Sequence, residues 1–155
     1  MKILANDGIS QSGIDALEKG GFEVLNIKVA QSQLENYINE HNVDALLVRS
    51  TTQVRQELID ACPSIKLIGR GGVGMDNIDV EYAIDNGLHV INTPAASSSS
   101  VAELVFSHLF GMARFLHSSN REMPLEGDTR FKELKKAYAQ GLELRGKTIG
   151  IIGFG

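Results

Sequence analysis

The residues best suited to chemistry stand at the ends of short apolar runs. Val48 is followed by Arg49-Ser50-Thr51-Thr52, Ile68-Gly69 by Arg70-Gly71-Gly72-Val73-Gly74-Met75-Asp76-Asn77, Leu4-Ala5 by Asn6-Asp7-Gly8, and Val90-Ile91 by Asn92-Thr93-Pro94. A guanidinium such as that of Arg49 can donate two parallel hydrogen bonds to a carboxylate or phosphate. Successive glycines let backbone N–H groups approach the same anion. The chemistry indicated is recognition of a small oxyanion. Each feature also has a plainer reading. Arg49 at a strand end is equally a solvated or salt-bridged arginine, Gly71-Gly72-Val73-Gly74 is equally a tight turn that needs positive φ, and Asp7 and Asp76 read as helix caps. Three glycines within Gly71 to Gly74 exceed what one turn requires, which favours close approach of a ligand.

A second motif is Lys147-Thr148-Ile149-Gly150-Ile151-Ile152-Gly153-Phe154-Gly155. It reads as a buried strand running into the first two glycines of a dinucleotide-binding turn. The complete fingerprint adds a third glycine, a helix whose N-terminus holds the pyrophosphate, and an acidic residue about 20 positions on. The expectation is a nucleotide-binding unit that this chain enters and does not complete. No acid/base pair is identifiable. His41 falls in a polar loop, His89 in a strand, and His108 and His117 on a long helix, so each reads as packing, solvated or complementing a helix end. Cys62, the single cysteine, stands beside Pro63 and reads as a structural thiol.

The elements that must carry these loops show in the hydrophobic pattern. Ile3 to Ala5, Phe22 to Leu25, Ala45 to Val48, Leu67 to Ile68, His89 to Ile91 and Thr148 to Ile152 read as strands. Helices are expected near Ser10 to Lys19, Gln31 to Glu40, Val54 to Ala61 and Val80 to Asn86, with Gly20-Gly21 and Gly87 where helices should end and Asn77 or Asp79 as a cap before Val80. Strand and helix alternating in this way predict an α/β fold, a parallel sheet covered on both faces. Ligands of such sheets bind beyond the carboxyl ends of the strands, where the four loops above fall. Ser100 and Glu103 have capping-box spacing ahead of Val101 to Leu116, a helix apolar nearly all round and therefore expected to be buried between domains or subunits. Ser118 to Arg145 is polar, and reads as an extended connection with a short helix around Phe131 to Ala139.

Composition sets the class. With 43% apolar and 22% charged residues the chain is that of a soluble globular protein. A net charge of −4 and no basic run leave no broad attraction for nucleic acid. No segment approaches a membrane span and the N-terminal apolar run is too short for a signal peptide, so no membrane partner and a cytoplasmic location are expected.

Val48-Arg49-Ser50-Thr51-Thr52, then Gly69-Arg70-Gly71-Gly72-Val73-Gly74-Met75-Asp76-Asn77-Ile78-Asp79, Asn92-Thr93-Pro94, Ser100-Val101-Ala102-Glu103-Leu104 and finally Leu144 to Gly155 stand in one order. This series closely resembles the NAD-dependent D-2-hydroxyacid dehydrogenases, over essentially the whole chain. The resemblance implies a flavodoxin-like, parallel-sheet substrate-binding domain over residues 1–99. The start of a Rossmann nucleotide-binding domain, incomplete here, would occupy residues 100–155. It implies an oxidoreductase acting on a small phosphorylated hydroxy acid with NAD as cofactor, this chain being the N-terminal part. Arg49 and Ser50 would face the substrate, Gly72, Val73 and Gly74 would present backbone donors to its carboxylate, and Ser97 would stand near it. Val73, Val101, Gly153 and Gly155 would border or hold the cofactor. No catalytic residue is assigned to this chain, since the family's arginine, glutamate and histidine would lie beyond Gly155, and NAD binding here is expected to be weak or absent. The family often has threonine at the Val73 position and asparagine at the Ser97 position, so contacts at Val73 would come from backbone. The helix over 101–116 would pair two copies, giving a homodimer or higher oligomer. A reductase for glyoxylate, hydroxypyruvate or lactate, or a non-enzymatic NAD-sensing corepressor, are the alternatives. A phosphoacceptor receiver domain needs an aspartate where Arg49 stands.

Overall fold

The computed structural model describes residues 1–153. The chain forms two compact units, Met1–Ser97 and Ser98–Gly155. The first contains β1 (Lys2–Ala5), α1 (Gln11–Lys19), β2 (Glu23–Leu25), a 3₁₀ turn (Gln31–Gln33), α2 (Leu34–His41), β3 (Ala45–Val48), α3 (Gln56–Ala61), β4 (Leu67–Arg70), α4 (Val80–Asp85) and β5 (His89–Asn92). Its five strands are all parallel, in the order β2-β1-β3-β4-β5.

Local chemistry sets the boundaries. The Ser10 hydroxyl accepts from the Gly13 N–H at 3.3 Å and starts α1. Gly21 and Gly87 take left-handed φ values of 82° just past α1 and α4. Asn42, with φ of 51°, ends α2 in the same way, so His41 closes that helix instead of standing in a loop. It stacks on Tyr37 at 4.0 Å.

The core lies on one face of the sheet. Leu4, Leu46, Ile68 and Val90 are register partners across four strands. With Val48 they meet Leu34 and Ile38 of α2, Ile59 of α3 and Ala83 of α4. Period-two alternation puts Ala5, Leu47, Gly69 and Ile91, also register partners, on the opposite face. Coverage of both faces, expected from the strand–helix alternation, is partial on that side, where Ala5 and Gly69 are buried. Within the first unit only α1 lies there, none of its residues is buried, and Ile91 is 53% exposed. Alternation implies helices on two faces without saying how many fall on each.

The second unit contains α5 (Ser98–Ala113), α6 (Leu116–Glu126) and α7 (Phe131–Tyr138). The helix expected over 101–116 stops at Ala113, because Phe115 adopts a left-handed φ of 54°. His108 therefore lies on α5 and His117 on α6. Helix α5 begins at Ser98, which places Ser100 inside it and removes the capping box from the helix start. Its apolar residues Val101, Leu104, Phe106 and Phe110 are each more than half exposed. Helix α6 was not expected. It contains Pro124, whose missing N–H normally argues against a helix interior. The strand expected over Thr148 to Ile152 is absent: the stretch is irregular and exposed, with no strand beside it in this unit among the described residues. An apolar run of this kind becomes a strand only when a neighbour accepts its backbone hydrogen bonds.

Candidate functional site

The loops after β1, β3 and β4 meet at the carboxyl ends of the strands, and the loop carrying Arg49 is held along both edges. On one edge is Asp7. Its Oδ2 accepts from the backbone N–H of Arg49 at 2.7 Å and of Thr52 at 3.1 Å, while Oδ1 accepts from the Thr52 hydroxyl at 2.8 Å and from Lys28 Nζ. The Asp7 side chain is 5% exposed. Burial alone would raise its pKa, but the Lys28 ammonium, the two N–H groups and the Thr52 hydroxyl outweigh it and hold the carboxyl far below the usual carboxylate range. The cap read for Asp7 is therefore replaced by a tie between loops. Ser10 caps α1, and Asp76 is no cap either, since Asp79 occupies the N-cap position of α4.

On the other edge is Asn77, buried. Its Nδ2 donates to the carbonyls of Arg49 at 3.0 Å and Thr52 at 2.7 Å, and its Oδ1 accepts from Arg70 Nε at 3.1 Å. Neither Asn77 nor Asp79 makes a capping bond before α4, for each side chain is engaged elsewhere: the Asp79 carboxylate takes Arg55 Nη1 at 2.9 Å and the Gln56 N–H at 3.0 Å. Asn6, also buried, supports the arrangement from below by donating to Thr52 Oγ1 at 2.9 Å and pairing with the Val29 backbone. Thus two N–H groups of the loop end on one carboxylate and two of its carbonyls on one amide. Arg49, Ser50 and Thr51 are left on the exposed side.

The glycines admit arginine side chains. A β-carbon at residue 71 would sit 3.6 Å from Arg49 Cγ, and one at residue 72 would collide with the Arg70 guanidinium. Arg49 thus runs over Gly71 and Arg70 over Gly72. Neither arginine forms an ion pair among the described residues. The glycine loop is itself pinned, by Thr93 N–H to Gly72 O at 3.1 Å and Asn92 Nδ2 to Val73 O at 2.7 Å. Within residues 71–74 the N–H of Gly71 is used by Val48 O at 2.9 Å and that of Gly72 by Arg70 O at 3.0 Å, while those of Val73 and Gly74 are left open. Beside this mouth lies a cavity of about 890 Å³, walled by Ala16 and Leu17 of α1 and by Leu47, Gly69 and Ile91 of the sheet, with Arg49, Arg70 and Asn92 at its rim.

The structure thus brings Arg49, Arg70 and Asp7 to one cavity, with Asn77 tying the two arginine-bearing segments together; sequence placed all four in the mouth's loops but read Asp7 and Asn77 as helix caps and gave Arg70 no role of its own. Ser50 and Ser97 are exposed and do not line the cavity, and neither do Gly72, Val73 and Gly74. In the second unit Val101 is 56% exposed on α5, and Gly153, with a left-handed φ of 80°, lies in the irregular stretch from Lys147. Gly155 lies outside the described residues. A glycine of that conformation suits close backbone approach to a phosphate, but without a paired strand beneath it the described residues do not build a dinucleotide site. No cluster of three or more His, Cys, Asp or Glu side chains suited to a metal occurs among them, and no helix is long and apolar enough to cross a membrane. Cys62 is buried, and burial, with a smaller push from Glu35, takes its thiol up to about 11, which suits packing and not nucleophilic attack.

Comparison with known proteins identifies the family. Residues 3–142 match the family described as D-isomer specific 2-hydroxyacid dehydrogenase, catalytic domain. A D-3-phosphoglycerate dehydrogenase of Archaeoglobus fulgidus is 38% identical over 155 residues, which is all of this chain and 28% of that protein. A hydroxypyruvate reductase of Thermotoga maritima is 39% identical over 99% of this chain and 48% of its own length. Among solved structures, NAD⁺-bound 3-phosphoglycerate dehydrogenase of Entamoeba histolytica superposes with a TM-score of 0.61 at 30% identity, over 74% of this chain and 40% of that one. The chain therefore spans between about a quarter and a half of the length of these relatives.

Proposed function

Because the chain belongs to the D-isomer specific 2-hydroxyacid dehydrogenases, we propose that it supplies the substrate-holding side of an NAD-dependent D-3-phosphoglycerate dehydrogenase, the oxidoreductase that opens L-serine synthesis from 3-phospho-D-glycerate. One observation carries the reading: Arg49 and Arg70, neither with an ion-pair partner among the described residues, line one cavity, and the glycine loop that follows Arg70 leaves the N–H groups of Val73 and Gly74 without an acceptor. A phosphorylated hydroxy acid is anionic at both ends and needs donors for each. The loop N–H groups with Arg49 suit a carboxylate, and Arg70 adds a second cationic donor for phosphate. The residues present bind and orient the acid. NAD, when bound, supplies the hydride acceptor, and the acid/base group belongs to the remainder of the enzyme.

In this reading residues 1–99 form the substrate domain and residues 100–155 open the nucleotide domain, which accords with the division near Ser97. The setting is the cytoplasm. The exposed apolar side of α5 pairs with a second copy, and Leu104→Glu is expected to abolish association seen in sedimentation at rising concentration. Association unchanged by that substitution would count against the pairing. Substrate profiling of the complete enzyme tests the activity. Its kcat/KM for 3-phospho-D-glycerate should exceed that for D-glycerate or D-lactate by at least about 100-fold, from two charge-assisted bonds to phosphate. A preference for the unphosphorylated acids would assign it to the hydroxypyruvate, glyoxylate or lactate branch instead.

A further inference from the structure

We infer that Asn77 is a positioning residue that joins Arg49 and Arg70 into one binding unit and so sets selectivity for a substrate with two anionic ends; the inference deepens the reading above and rests on it. One buried amide reaches both arginine-bearing segments. Its two N–H groups go to the carbonyls of Arg49 and Thr52, and its oxygen takes Arg70 Nε. The orientation admits no flip, because the reverse would set oxygen against two carbonyls and N–H against N–H. The backbone at this point is pinned as well. Val54 N–H donates to Asn77 O at 2.8 Å and Asp79 N–H to Val54 O at 3.0 Å, so the amide projects from a fixed origin.

The choice of a neutral group matters. Asp79 holds Arg55 through a carboxylate, and that arginine has its charge matched inside the protein. Arg70 is held through Nε by an amide that carries no charge, so its positive charge stays available while its direction is fixed. Aspartate at position 77 would neutralise Arg70 and put an anion against two carbonyls, that of Thr52 buried and that of Arg49 partly so. An apolar residue would leave those carbonyls and Nε without partners. Asparagine serves all three and spends no charge.

The test is steady-state kinetics of the complete enzyme with Asn77→Asp and Asn77→Ser, using 3-phospho-D-glycerate and D-glycerate. The ratio of kcat/KM for the phosphorylated over the unphosphorylated acid should fall by about ten-fold or more in Asn77→Asp, through KM, with kcat for each acid within about three-fold of wild type. Asn77→Ser, uncharged, should lose less of the ratio. If wild type prefers 3-phospho-D-glycerate but the ratio is unchanged in both variants, or both acids lose equally, the positioning role is wrong and the substrate reading stands. If wild type prefers D-glycerate, both fall. Should Asn77→Asp fail to fold, Asn77→Ser carries the comparison.

Discussion

Replacing Asp7 with alanine is expected to destabilise the first unit by about 3 kcal/mol at neutral pH, the largest stability loss foreseen for any residue of the site. The carboxylate accepts from four donors and bridges the loops after β1 and β3, with Lys28 completing it. Lys28 is about half exposed and regains water when Asp7 is lost, so its share is small. The N–H of Thr52, part-buried, and its hydroxyl face most of the loss, while the Arg49 N–H lies on the exposed side and regains part of its bonding from water. A pH signature separates this from a plain packing effect. The folded-state pKa of Asp7 lies well below its unfolded value of about 3.9. Its contribution is therefore complete above that unfolded value and is lost as pH falls below it towards the folded one. The gap in urea midpoint between wild type and Asp7→Asn should narrow from pH 7 to pH 3. A gap that stayed constant would show that the charge of Asp7 contributes nothing.

Arg49→Gln in the complete enzyme should raise KM for 3-phospho-D-glycerate about 100-fold while leaving the thermal midpoint nearly unchanged. A bidentate contact to a carboxylate involves two charge-assisted bonds, together worth about 3 kcal/mol when both are lost. Arg49 is exposed and forms no ion pair among the described residues, so stability has little to lose. Arg49→Lys keeps the charge but not the fork, and should recover only part of the affinity. Equal KM for all three would return Arg49 to the plainer role of a solvated strand-end arginine. A large fall in thermal midpoint would make it a structural residue.

The strands of the first unit were legible because short apolar runs between turn signals admit little else; β3, expected over Ala45 to Val48, has those bounds. The loops that form the mouth were legible for the same reason, since strand order puts them at one end of the sheet. The ties between them were not. Asp7 lies 42 residues from Arg49 and 45 from Thr52, and local spacing suggests a helix cap for any aspartate ahead of a helix. Asn77 was misread in the same way, its partners being 25 and 28 residues away. The run from Thr148 to Ile152 failed as a strand because β structure depends on a neighbour that no local pattern supplies. Helix α6 was hidden by Pro124.

The claim that Arg49 and the glycine loop form the anion site is tested most directly by titrating 3-phospho-D-glycerate into this chain and following backbone amide resonances. The account predicts saturable shifts concentrated at Arg49, Val73 and Gly74, which Arg49→Gln suppresses. Shifts spread over the surface, or localised shifts that survive Arg49→Gln, would contradict it.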